Sequence, residues 1–105
     1  MNWTVSERKV RAYLLNTAHH VGGPKARFFL SRGFSVTAWR VLTAALRQHP
    51  IDNPTESSQQ TGYGLRLTVH CRLTTPDGSN PCIRTVWMVE PGLPARLVTA
   101  YPQSP

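Results

Sequence analysis

From Leu65 to Leu73 every second residue is apolar: Leu65, Leu67, Val69, Cys71 and Leu73 alternate with Arg66, Thr68, His70, Arg72 and Thr74. A period of two is the period of a strand, and it leaves one face to bury and one face to wet. A chain holding such a strand must cover the apolar face with something, and the first half of the sequence supplies it. Ala38, Val41, Leu42, Ala45 and Leu46 keep the three-and-four spacing of a buried helical stripe, which predicts a helix from about Thr37 to Gln48, ended by His49-Pro50. Ser6 reads as an N-cap for a shorter helix reaching about Asn16, with Val10, Tyr13 and Leu14 on one face. A further helix is expected from Pro24 to about Arg32, with Ala26, Phe29 and Leu30 inward and Gly33 as its stop. Residues 1 to 5 read as an arm packing through Trp3 and Val5, and Pro50 to Gln60 is too polar to bury and reads as a mobile loop. Beyond the first strand come a turn at Pro76-Asp77-Gly78-Ser79-Asn80, a central strand from Ile83 to Val89, a second turn at Pro91-Gly92-Leu93-Pro94 and a last strand from Arg96 to Tyr101. The order predicts an α+β fold in one domain, residues 1–105: three N-terminal helices packed on one face of a C-terminal antiparallel sheet.

Charge narrows the partners. Twelve Lys plus Arg against five Asp plus Glu give +7, and all the cations but Lys9 and Lys25 are arginine. Guanidinium forks match phosphate, which makes nucleic acid the first partner to consider, although a basic surface also serves solubility. No apolar run is long enough to cross a bilayer and the first residues lack the apolar core of a signal peptide, so the expected location is cytoplasmic, or wherever a carrier outside this sequence takes it. Cys71 and Cys82 flank a hairpin turn, and in a reducing compartment they are expected as free thiols; two cysteines make no zinc motif.

The stretch His19-His20-Val21-Gly22-Gly23-Pro24-Lys25-Ala26-Arg27-Phe28-Phe29 is where chemistry concentrates. Gly22 and Gly23 read as a flexible turn and Pro24 as the first turn of a helix, which puts the imidazoles beside a helix N-terminus, a place suited to an anion. Lys25 and Arg27 work against the helix dipole there unless an anionic ligand offsets them. Neither nucleotide-binding glycine motif occurs, and the acids Glu7, Asp52, Glu56, Asp77 and Glu90 are scattered, so nucleotide hydrolysis and metal-dependent nuclease chemistry are disfavoured and neither cofactor nor metal is expected. What remains is His, Lys, Arg, Thr and Tyr, a set able to cleave RNA through its own 2′-hydroxyl, with His19 or His20 as base. Arg84 and Thr85 interrupt an apolar strand, and a buried arginine needs a partner. Thr99 and Tyr101, two apart, point the same way. Arg66, His70 and Arg72 share a strand face that is either an RNA-facing stripe or an ordinary wet face.

Tyr13-Leu14-Leu15-Asn16, His19-x-Val21-Gly22-Gly23-x-Lys25-Ala26-x-Phe28-Phe29, Gly33-Phe34, Trp39, Leu42, Pro76-Asp77-Gly78, Arg84-Thr85-Val86-Trp87 and Leu97-Val98-Thr99-Ala100-Tyr101-Pro102 together resemble a bacterial domain-of-unknown-function family of about this length. That family is similar to the tRNase toxin domains of contact-dependent inhibition proteins and, through them, to the barnase, EndoU, colicin and RelE-like ribonucleases. The resemblance implies helices followed by a curved antiparallel sheet, and a toxin with a small partner. It places the catalytic set on His19, Lys25, Arg84, Thr85, Thr99 and Tyr101; the residues themselves, not the resemblance, offer His20, Arg27, Arg66, His70 and Arg72 as the RNA-binding set. His20 stands where the family usually has proline, which leaves open which imidazole acts. The expectation is a metal-independent endoribonuclease toxin acting on RNA, tRNA among the candidates, restrained by a small acidic antitoxin or immunity protein and independent of membranes. The alternatives are a non-catalytic basic module gripping RNA or an acidic protein, and an interaction domain docking on a larger enzyme.

Overall fold

The computed structural model describes residues 2–104; Met1 of the expected arm lies outside them, as does Pro105. Ser6 starts the first helix, its Oγ accepting the Lys9 N–H at 3.0 Å. α1 (Glu7–Lys9) passes directly into a π-helical turn, Val10–Leu14, closed by the Leu15 N–H on the Val10 carbonyl at 2.8 Å. The wider turn buries Val10, Leu14 and Leu15 together and leaves Tyr13 half-buried. α2 (Gly23–Ser31) buries Ala26 and Phe29 and ends against Gly33, whose φ of 97° suits glycine.

α3 (Trp39–Asp52) differs from the expected helix at both ends. Ser35 Oγ takes the Ala38 N–H at 3.1 Å and holds the preceding residues in a turn, so the helix opens at Trp39. It continues through Pro50, because a proline in the last turn removes one hydrogen bond without stopping a helix already fixed by packing. Its buried stripe is Leu42, Leu46, His49 and Pro50, whereas Val41 is 48% exposed.

Four strands follow: β2 (Thr55–Thr61), β3 (Gly64–Arg72), β4 (Cys82–Val89) and β5 (Ala95–Pro102). The arm forms a fifth, β1 (Trp3–Thr4), and the sheet order is β1-β5-β4-β3-β2. Two expectations are overturned here. The sheet is mixed rather than antiparallel, since β1 runs parallel to β5 with Trp3 opposite Ala95, and it is not wholly C-terminal. The pairing is fixed by the Ala95 N–H on the Asn2 carbonyl and the Thr4 hydroxyl on the Ala95 carbonyl, both at 2.9 Å. The polar loop is β2, an edge strand paired antiparallel to β3 whose side chains stay almost entirely exposed. The helices still precede the four long strands, so the fold is α+β in outline with a larger sheet than expected.

Leu67, Val69, Ile83, Trp87, Leu97 and Ala100 form the covered face of the sheet, packed with Val10, Leu14, Phe29, Leu42 and Leu46. Trp87 is fully buried and meets the edge of Trp3 at 5.0 Å. Beside it a polar chain crosses the core: Trp87 Nε1–H donates to Thr85 Oγ1 at 2.8 Å, which faces His49 Nδ1 at 2.8 Å, while His49 Nε2 lies 2.8 Å from the Cys71 carbonyl. A carbonyl only accepts, so Nε2 carries the proton, Nδ1 accepts from the Thr85 hydroxyl, and every group is satisfied with the histidine neutral. Burial agrees, lowering the His49 pKa despite the hydrogen bond with Cys71.

Candidate functional site

Directly opposed residues of antiparallel strands share a face. His70 opposes Arg84 and Arg84 opposes Tyr101; Thr68 opposes Val86 and Val86 opposes Thr99. Thr99 and Tyr101 therefore lie on the side away from the core, at the ends of rows that begin with Thr68 and His70. β1 pairs only Ala95 and Arg96, so the second half of β5 has no strand on its outer side. There the π turn, the His19 loop and the first turn of α2 come against it.

The result is a cavity of about 770 Å³ lined by Ser6, Arg8, Lys9, Ala12, Tyr13, His19, Val21, Lys25, Val98, Thr99 and Tyr101. Four residues singled out from the sequence, His19, Lys25, Thr99 and Tyr101, meet there from two separate segments. Tyr13 stands at the centre. Its hydroxyl is 3.1 Å from Thr99 Oγ1, the His19 ring meets its edge at 4.9 Å, and the ammonium groups of Lys9 and Lys25 lie 5.1 Å and 5.6 Å from its ring centre. Burial pushes the Tyr13 phenol up, but hydrogen bonding with Thr99 and Lys25 and the charges of Lys25 and Lys9 together outweigh it, and the net pKa is below the usual 10.0. In the sequence Tyr13 stands on a helix face and in the Tyr13-Leu14-Leu15-Asn16 motif without a marked role; the signal available was Lys9 four residues before it on the same helix side.

The loop is held from within. His19 Nδ1 accepts the N–H groups of Val21 at 3.1 Å and Gly22 at 2.8 Å, and the His19 carbonyl accepts that of Gly23 at 2.9 Å. A ring nitrogen that accepts carries no proton, so neutral His19 has its proton on Nε2 and acts as a donor. The glycine pair is there for room. Gly22 has a φ of −78°, open to any residue, but a Cβ on it would stand 2.6 Å from both Cδ1 and the carbonyl oxygen of Tyr13. On Gly23 a Cβ would come within 2.7 Å of the Thr17 carbonyl oxygen.

The other sequence candidates lie elsewhere. Arg84 neighbours Tyr101 but turns to Glu56 of β2, with Nη2 donating to Oε1 at 3.1 Å and Nε 3.0 Å from Oε2 though off the line of its N–H. The hydrogen bond with Glu56, reinforced by Tyr101 against desolvation, holds the Arg84 pKa above its usual value. Thr85 points into the core and is fully buried. His20 and Arg27 are exposed and outside the cavity lining. Arg66 and Arg72 sit about 20 Å apart along β3, with Arg72 Nη1 on the Asn80 carbonyl at 3.2 Å. His70 Nε2 lies 3.1 Å from the Ser104 carbonyl and its Nδ1 3.7 Å from Glu56 Oε1.

Among the described residues, His70, Cys71 and Cys82 bring metal-ligating atoms within 4.8 Å of one another. The trio is poorly suited to a metal: desolvation and the neighbouring Cys71 push the Cys82 thiol up to about 11, and His70 Nε2 is engaged with the Ser104 carbonyl. The cavity lining itself holds no carboxylate.

The family model described as Domain of unknown function (DUF6883) matches residues 2–104. The chain belongs to this family. The DUF6883 fold is similar to one in a contact-dependent growth inhibition toxin–immunity protein complex from Klebsiella pneumoniae 342, with a TM-score of 0.76 at 15% identity over 95% of this chain and 99% of that one. At that identity the likeness is one of fold. Comparison with curated proteins finds no match.

Proposed function

We propose that this DUF6883 domain is a metal-independent endoribonuclease toxin. The observation that carries the reading is the convergence of His19, Lys25, Thr99 and Tyr101 around Tyr13 in one cationic cavity. In the proposed reaction the ribose 2′-oxygen attacks the adjacent phosphorus as the bond to the 5′-oxygen breaks, leaving a 2′,3′-cyclic phosphate and a 5′-hydroxyl. Tyr13, as the phenolate that hydrogen bonding with Thr99 and Lys25 and the charges of Lys25 and Lys9 favour, takes the 2′-proton. Lys25, Lys9 and Arg8 meet the charge gathering on the phosphate, and His19 Nε2–H donates to one of its oxygens. Tyr101 returns a proton to the leaving 5′-oxygen, with Thr99 orienting Tyr13 and Arg84 steadying Tyr101. Thr85 acts from the core as support for Trp87 and His49. With cations lining the cavity and no carboxylate among them, side chains rather than a bound divalent ion supply the positive charge. The toxin–immunity context of the fold neighbour supports a protein partner that shuts this cavity, and net charge favours an acidic one.

The test is incubation of the purified chain with total RNA and analysis of the ends formed. Cyclic phosphate ends are expected, reduced about 10²-fold or more by Tyr13→Phe and Lys25→Ala. Intact RNA with tight, salt-sensitive binding would favour the non-catalytic module instead.

A further inference from the structure

The cavity does not end at Arg8. Arg8 and Ala12, one helical turn apart, line it on one side, and on the other they line a second, shallower groove with Glu7, Arg11 and Val36. The apolar part of this groove is Ala12 and Val36, the latter 46% exposed. Its rim is cationic: Arg8 and Arg11 stand over it, and the Arg11 guanidinium also lies 5.9 Å from the centre of the Trp39 ring, which carries Arg40 at 4.5 Å. Glu7 is the acid present, and its Oε2 accepts from Arg11 Nη1 at 2.8 Å in a pair whose side chains are both about half exposed, so that a phosphate can take the place of the carboxylate. Among the described residues neither Arg8 nor Arg40 has an acidic partner.

We infer that this groove is a second nucleotide subsite, continuous with the first, so that a single RNA strand leaves the cavity over α1 toward Trp39. The inference rests on the ribonuclease reading for its first subsite. An apolar floor under a cationic rim suits a base and its phosphate together, whereas a free anion has no use for the floor. The sheet face expected from the sequence to bind RNA is a poorer route, because Arg84 is paired with Glu56 and the cations Arg66 and Arg72 stand about 20 Å apart along β3. Single-stranded RNA is the ligand class, since a paired base keeps its face in the stack.

The experiment measures binding of a 2′-O-methyl octanucleotide and of a single 2′-O-methyl nucleoside 3′-phosphate, neither of which can react by 2′-attack. Arg11→Ala with Arg40→Ala is expected to weaken the octanucleotide about tenfold, to flatten its salt slope by about 1.4, and to leave the single nucleotide unchanged. Val36→Glu should reproduce the loss by setting an acid in the floor, while Arg66→Ala with Arg72→Ala should not. The inference is overturned if wild type fails to bind the octanucleotide, if short and long ligands lose equally, or if the β3 pair carries the loss. Cleavage of unmodified RNA reads the other question separately: retained octanucleotide binding without cleavage sinks the ribonuclease reading and leaves the groove standing.

Discussion

Gly22 shows how one missing carbon positions the site. Any side chain there must displace Tyr13, and Tyr13 is held in turn by Thr99 and the His19 ring. Gly22→Ala is expected to destabilise the fold by about 1–3 kcal/mol and to abolish whatever the cavity does, measured by urea unfolding and RNA cleavage on the same sample. His49 gives the corresponding prediction for the core. Its folded pKa lies below its ordinary 6.5, so the unfolded chain takes up a proton first as pH falls. The stability it contributes is complete above about pH 6.5 and is lost on going lower, at about 1.4 kcal/mol per pH unit until the folded pKa is reached. Unfolding free energies measured between pH 7.5 and about 5 should show this slope in wild type, and His49→Gln should flatten it.

At the scale of elements, α3 separates what periodicity sees from what packing uses. Val41 and Leu42 both fit a three-and-four stripe, yet Leu42 and Leu46 are fully buried while Val41 is half in solvent. Leu46→Ala should cost about 2–5 kcal/mol and Val41→Ala under about 0.5, a contrast that thermal unfolding resolves. β2 makes the opposite point. Its bulge between Thr55 and Ser57 brings Glu56 to Arg84, but both side chains are about a third exposed, 37% and 30%. Glu56→Gln should therefore change stability by less than about 1 kcal/mol; a larger loss in the same assay would mean the pair organises the strand.

For the molecule as a whole, +7 on a chain of 105 residues makes association electrostatic. RNA affinity is expected to fall steeply between low and physiological salt, because each neutralised phosphate releases its counterions. A flat salt profile would favour docking on a protein. The proposed restraining partner should be acidic, should compete with RNA for the Tyr13 cavity, and should itself lose affinity as salt rises.

The sequence by itself determined the elements whose signal is local. Leu65 to Arg72 had to be a strand, Leu42 and Leu46 had to face a core, and Ser6 had to open a helix, because side-chain period and capping act over a few residues. The family resemblance also grouped His19, Lys25, Thr99 and Tyr101 with Arg84 in one expected site; the first four line one cavity and Arg84 does not. The mixed sheet was beyond the sequence: β1 is two residues long and pairs across more than ninety positions of chain, and β2 is wet on both faces, so neither writes a period. Thr85 and Arg84 are adjacent in sequence and opposite in fate, one sealed in the core with His49 and the other tied to Glu56. Tyr13 was hidden because a π turn, invisible to helical periodicity, rotates it toward Thr99. These are matters of which distant surfaces meet, and only the folded chain decides them.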